Sequence, residues 1–290
     1  MRSALSLGLA AALALAGCSD ASTPPPTEAV MPPAAEPVAE APPAPFDPAA
    51  EALSALPFAE VLVTDTPYAE VRDAVAAAGW RPVITPACAE NVGGEAIACR
   101  EWPELDACSG SGDGPCLMAF ADPNVPRELQ LATVGGSGEA YSRGADARVR
   151  LQTATLRVLD LAPVAACPSA DFAMFLEAFA ADPAVRAAWT APLVRVAVRY
   201  ELGEDSRVVD AVMRADAFRG FPVVHENGAF HYRDAAGVVD PAPLTLTWAE
   251  DGAGSVRVSF DYGLSEGNSL RFTRSDDCWQ LAEDPEPDAA

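Results

Sequence analysis

The chain holds only two histidines, His225 and His231, in 290 residues, and no lysine. Without lysine there is no Schiff-base chemistry, no Walker phosphate loop and no lysine general base. His225-Glu226 has the opening of the helical zinc-protease motif, but the second histidine comes six positions on rather than four, so the two do not share a helix face. Asn227-Gly228 between them is instead a two-residue hairpin signal. It predicts His225 opposite Phe230 and Val224 opposite His231, with the two imidazoles on opposite faces of a sheet and unable to share a metal. No Gly-x-Ser-x-Gly elbow occurs. The acid pairs Glu204-Asp205 and Asp276-Asp277 fall where turns are expected and read as solvated. On these grounds no catalytic, cofactor-binding or metal-binding residue is assigned, and no cofactor is expected.

Cysteine is the other residue with chemistry to offer. There are seven. Cys88, Cys99, Cys108 and Cys116 lie within one short stretch, while Cys167 and Cys278 stand apart. The clustered spacings lack the two-residue knuckle that places two thiolates on one zinc, so disulfides are the better reading. Four cysteines allow three pairings, and spacing does not choose among them. The expectation adopted is pairing of neighbours, Cys88 with Cys99 and Cys108 with Cys116, and of Cys167 with Cys278, with bonds between the two groups as the rival. The glycine-rich loop Ser109-Gly110-Ser111-Gly112-Asp113-Gly114 fits neither a dinucleotide loop, since it leads into a strand, nor a calcium loop, since it has a single carboxylate. It reads as a hairpin connection.

The remaining cysteine, Cys18, has a different setting. Arg2 is followed by an apolar stretch from Ala4 to Gly17, too short to span a bilayer and shaped like an export signal. Leu15-Ala16-Gly17-Cys18 resembles the lipobox of bacterial lipoproteins, which implies cleavage before Cys18 and attachment of diacylglycerol to its thiol. Ser19 rather than Asp after the cysteine resembles an outer-membrane address. The next segment, Ala21 to Ala50, carries ten prolines and almost nothing to bury. It reads as a tether that could extend roughly 90 Å at about 3.1 Å per residue. Six cysteines then remain for pairing in an oxidising compartment.

These residues need elements to hold them. Tyr68, Val71, Val75 and Ala78 share one helical face, with Pro67 suited to the first turn and Gly79 to the end. Trp80 to Ile84, Cys116 to Asp122 and Glu128 to Gly135 read as strands, the last two as a hairpin. Val149 and Leu151 alternate with arginines in a short strand or linker. Phe172, Phe175, Leu176 and Phe179 repeat at helical spacing, and Asp182-Pro183 opens a second helix. Leu193 to Leu202 alternates valines with arginines, as in a half-buried strand. Ser206 to Phe218 is ambiguous, with Val208, Val209, Val212 and Met213 favouring a helix. From Phe221 to Leu281 the chain reads as an antiparallel meander.

The expected fold class is therefore α+β, with two small domains of helix packed on antiparallel sheet. The expected division is signal peptide at 1–17, lipidated cysteine and tether at 18–50, a disulfide-stapled domain at 51–145, a meander domain at 146–282 and an acidic tail at 283–290. The chain carries 42 Asp and Glu against 19 Arg, a net charge of −23. Acid is spread over both halves, so nucleic acid is a poor partner.

Two resemblances add to this reading. Tyr68 to Arg72, Ala78 to Pro82, Trp102-Pro103-Glu104, Cys108-Ser109-Gly110, Cys116 and Ala119-Phe120, spanning about residues 66–135, resemble an uncharacterised domain of secreted proteobacterial proteins. That likeness implies export and a disulfide but no activity. The ending from Phe272 through Cys278-Trp279-Gln280-Leu281 resembles the closing strands of cone-shaped nuclear-transport-factor-like domains, which implies a curved sheet able to enclose a pocket. The functional expectation is a lipid-anchored cell-envelope protein, in the outer membrane facing the periplasm or surface, acting as a non-catalytic binding or assembly module. Its expected partners are the membrane, through the lipid anchor, and an envelope protein. The alternative is a small-ligand binder or hydrolytic enzyme with a C-terminal pocket using His225 or His231 and a nearby acid.

Overall fold

The computed structural model describes residues 52–285 apart from 95, 110–113, 123–124, 136–147, 160–164, 203–204, 253, 263–265 and 276. The export signal, Cys18 and the whole of the tether lie outside the described residues, as does most of the glycine-rich loop.

After a 3-10 turn, α1 (Tyr68–Ala77) begins behind Pro67, whose missing N–H costs nothing at a helix start. Tyr68, Val71 and Val75 are fully buried in a cluster with Met118, Phe120, Leu129 and Leu131. Strand β1 (Arg81–Ile84) follows. The cysteine-bearing connection then folds into two short helices, α2 (Cys88–Asn91) and α3 (Ala96–Glu101). Strands β2 (Leu105–Cys108), β3 (Cys116–Ala121), β4 (Arg127–Val134) and β5 (Arg150–Val158) complete this part. β3 and β4 form the antiparallel hairpin, and β5 pairs along β4.

Helix α4 (Phe172–Ala181) starts at Asp171, whose Oδ1 accepts from the Met174 N–H at 3.1 Å. Asp182 caps α5 (Pro183–Ala188) in the same way, accepting from the Ala184 N–H at 2.8 Å. The strands that follow are β6 (Thr190–Leu202), β7 (Asp205–Arg214), β8 (Val223–Glu226), β9 (Ala229–Arg233), β10 (Val239–Pro243), β11 (Leu246–Glu250), β12 (Ser255–Tyr262), β13 (Glu266–Ser275) and β14 (Cys278–Asp284). Phe175 and Phe179 of α4 meet Phe272 of β13 at centroid distances of 6.1 and 5.3 Å, both nearly edge-on. Such pairs add to ordinary apolar burial.

The expectation of two small α+β domains is overturned. Eleven strands form one mixed sheet, in the order β11-β12-β13-β14-β6-β7-β1-β3-β4-β5 with β2 on β3. The physical reason lies in β1. Arg81 and Pro82 pair antiparallel with β3, and the next two residues, Val83 and Ile84, pair parallel with β7. Val83, Ala119, Ala121 and Val212 form a small buried cluster at that seam. A second parallel pairing joins β14 to β6. The meander is divided as well, since β8, β9 and β10 form a separate three-stranded sheet.

Ser206 to Phe218 is not a helix. Its first part is β7, which pairs in register with β6 over ten positions from Leu202↔Asp205 to Leu193↔Arg214. Long cross-strand pairing of a valine-rich segment outweighs the helix-like spacing of its apolar residues. β14 runs on through Glu283 and Asp284, the first two residues of the acidic tail.

Candidate functional site: an arginine cleft

Three disulfides are present among the described residues. Cys88–Cys99 joins α2 to α3, Cys108–Cys116 crosses β2 and β3, and Cys167–Cys278 ties the segment before α4 to the start of β14. All three brace the scaffold; none lines a cleft.

The histidines sit on the hairpin of β8 and β9, with His225 opposite Phe230 and Val224 opposite His231. Asn227 and Gly228 both have positive φ, 54° and 80°, as the mirror-image turn of such a hairpin requires. His225 lies against the Phe230 ring at 4.8 Å. His231 uses Nδ1–H to donate to the carbonyls of Asp240 and Ala242, at 3.0 and 3.2 Å. Its role there is to hold β10 onto β9. Glu204 and Asp276 lie outside the described residues, and among the described residues no group of three or more His, Cys, Asp or Glu side chains is arranged to hold a metal.

What the fold does assemble is a cleft of about 210 Å³ where α5, the segment after β7 and the end of β9 meet. Arg186, Arg219 and Arg233 line it, together with Thr190, Phe218 and Phe221. Arg186 reaches back to the end of α4, where its Nη1 donates to the carbonyls of Phe179 and Ala180 at 3.0 and 3.2 Å. Cationic groups suit a helix C-terminus, where carbonyls lack intrahelical partners. Its guanidinium also lies 5.6 Å from the centroid of the Phe221 ring. The Thr190 hydroxyl is committed locally, donating to the Arg186 carbonyl at 2.7 Å. Arg219 donates from Nη1 to the Phe218 carbonyl at 3.0 Å.

Burial and, next, the neighbouring charge of Arg233 push the Arg186 pKa below its ordinary value, with Asp182 opposing. Two guanidiniums therefore act on each other inside a half-enclosed space. Gly220 sits between Arg219 and Phe221. A Cβ there would meet Asp284 Oδ2 at 2.6 Å and the Phe218 ring at 2.9 Å, so the glycine lets the Asp284 carboxylate approach the rim. A second cleft, of about 380 Å³, runs along β11 and β12 and offers Thr245, Thr247, Ser259 and Asp261. Neither histidine lines either cleft.

Comparison with known proteins adds one partial likeness. No family model and no curated protein matches the chain. The resemblance of residues 66–135 to an uncharacterised proteobacterial domain therefore has no match behind it. A crystal structure of an NTF2-like protein from Bacteroides fragilis is similar at 13% identity and a TM-score of 0.28, covering 55% of this chain and 59% of that one. The chain thus spans less than two thirds of that protein.

The cleft arginines escape sequence reading because they come from three separate segments. The one local signal is Arg219-Gly220 set between Phe218 and Phe221, a basic residue flanked by aromatics in a chain where acids outnumber arginines 42 to 19.

Proposed function

We propose that this chain is an exported, lipid-anchored envelope protein that acts by binding a ligand, and that the arginine cleft is its binding site. The observation that carries the binding reading is the composition of the cleft: three guanidiniums and two phenyl rings around a space open to solvent. Guanidinium stays protonated and supplies only donors, so these groups hold and orient a ligand without exchanging a proton with it. Export and anchoring are supported by Leu15-Ala16-Gly17-Cys18 and by six cysteines all paired in disulfides. Ser19 favours the outer membrane, and the proline-rich tether would carry the folded part away from the lipid.

Mass spectrometry of protein extracted from membranes tests the anchor. The mature chain is expected to begin at Cys18 and to carry diacylglycerol there, and Cys18→Ser is expected to leave the precursor uncleaved and free of added lipid mass. A mature chain that begins elsewhere, or that begins at an unmodified Cys18, would contradict it.

A further inference from the structure

We infer that the arginine cleft takes a small organic anion, with a carboxylate or phosphate head and an apolar body about the size of one ring. The inference rests on the binding reading above and names its ligand class.

The head group follows from the arginines. Among the described residues none of Arg186, Arg219 and Arg233 forms an ion pair with a carboxylate, and Arg233 makes no side-chain hydrogen bond. The donors of Arg186 and Arg219 that are used go to backbone carbonyls. A guanidinium presents five N–H donors in a planar fork that matches a carboxylate or phosphate two bonds at a time. Most of the donors in the cleft thus remain available. Carboxylates of the flanking segments are engaged elsewhere: Asp182 caps α5, Asp234 accepts from the Val238 N–H at 2.8 Å, and Asp284 packs against Gly220. Arg233 disfavours the charged form of Arg186, and Asp182 offsets this in part. A bound oxyanion would relieve that opposition and fill the vacant donors together.

The body follows from the walls and the size. Phe218 and Phe221 line the cleft but are only 9% and 5% exposed, so their rings are fixed by packing and present a narrow apolar margin beside the charges. About 210 Å³ is below the roughly 300–1,000 Å³ of sites for drug-sized ligands, which leaves room for a ring and its head group and little more. A nucleic-acid strand is a poor occupant on both counts, because the space is short and the chain's net charge of −23 repels a polyanion. A metal cation has no ligands here, since guanidiniums repel it.

The test is isothermal titration of the mature, detergent-extracted protein at constant ionic strength with benzoate, phenyl phosphate, inorganic phosphate and benzyl alcohol. Benzoate and phenyl phosphate are expected to bind at least about tenfold more tightly than inorganic phosphate, which lacks the ring, and benzyl alcohol, which lacks the charge. The ratio between the first two identifies the head group. Arg219→Gln and Arg233→Gln are each expected to weaken that binding about tenfold, or about 1.4 kcal/mol, without lowering the melting temperature. Arg199→Gln, on the exposed side of β6 and away from the cleft, is expected to change nothing. If benzyl alcohol binds as well as benzoate and Arg233→Gln is silent, the anion class is wrong and the cleft survives as a neutral binding site. If none of the four binds more tightly than about 10 mM, a free energy near −2.7 kcal/mol, both the ligand class and the binding reading fall.

Discussion

Arginine does two different jobs in this molecule. On one face of the large sheet it alternates with acid across six neighbouring strands. Arg257 of β12 and Arg271 of β13 share Asp251, at 3.2 and 2.7 Å; Arg271 also reaches Glu283 of β14 at 2.7 Å. Arg195 of β6 lies 4.0 Å from Glu283 and binds Asp210 of β7 at 2.9 Å, and Arg81 of β1 meets the same Asp210 at 3.0 Å. Every arginine in this row has a carboxylate partner. In the cleft the three arginines lie beside carbonyls, rings and one another. The row holds strands side by side, while the cleft keeps its charge for something that is not part of the chain. A neutralised guanidinium is scaffold, and an unneutralised one in a concave site is a candidate for binding.

Replacing arginine by glutamine at graded positions can break or sharpen that contrast. The largest effect is expected at Arg214, which joins the two halves of the sheet by a bidentate contact from β7 to Glu128 of β4, at 2.7 and 2.9 Å. Glu128 is fully buried. Arg214→Gln removes that carboxylate's only charged partner among the described residues, leaving the Gln130 amide at 2.8 Å, and is expected to lower urea-unfolding stability by about 3–5 kcal/mol. A loss well under 1 kcal/mol would mean that the seam does not depend on it.

A smaller loss, about 0.5–1 kcal/mol, is expected for Arg271→Gln, because its partners are part-exposed and screened, and the loss should shrink as salt is added. Acid titration probes the same row. Burial pushes the Asp210 carboxyl up, but hydrogen bonds from Arg195 and Arg81 outweigh it and hold the group below its ordinary value. Hydrogen bonds from Arg257 and Arg271 likewise depress Asp251. A carboxyl depressed in the folded chain contributes stability above its unfolded pKa, near 4, and loses it as pH falls through the folded value. Wild type and Asp210→Asn should therefore differ at neutral pH and converge as pH falls below about 4. A gap that persists in acid would assign the effect to packing. The smallest change is expected for Arg233→Gln without ligand: an unaltered or slightly raised melting temperature, since a like charge beside Arg186 is removed.

Local features were the legible part of this fold. The face of Tyr68, Val71 and Val75 marks α1 because three large apolar residues at helical spacing have one way to be buried. Asn227-Gly228 fixes the hairpin register because both positions need positive φ. The joining of the halves was not legible, since β1 pairs in opposite senses over four residues and its alternation does not reveal its neighbours. The parallel contact of β14 with β6 is silent for the same reason. Val208, Val209, Val212 and Met213 suggested a helix because β6, the strand that claims them, makes its case only through long-range pairing. The cleft depends on α5, the residues after β7 and the end of β9 meeting in space. No pattern within one segment records that meeting.

The central claim is that the cleft arginines serve a ligand while the sheet arginines serve the fold. The most direct measurement is the thermal stability of wild type, Arg233→Gln and Arg271→Gln in benzoate against sodium chloride of equal ionic strength. A ligand held by the folded chain at about ten times its Kd stabilises by about 1.4 kcal/mol. Wild type and Arg271→Gln are expected to gain that stability and Arg233→Gln to lose most of it. An equal gain in all three proteins, or a gain lost in Arg271→Gln and kept in Arg233→Gln, would contradict the account.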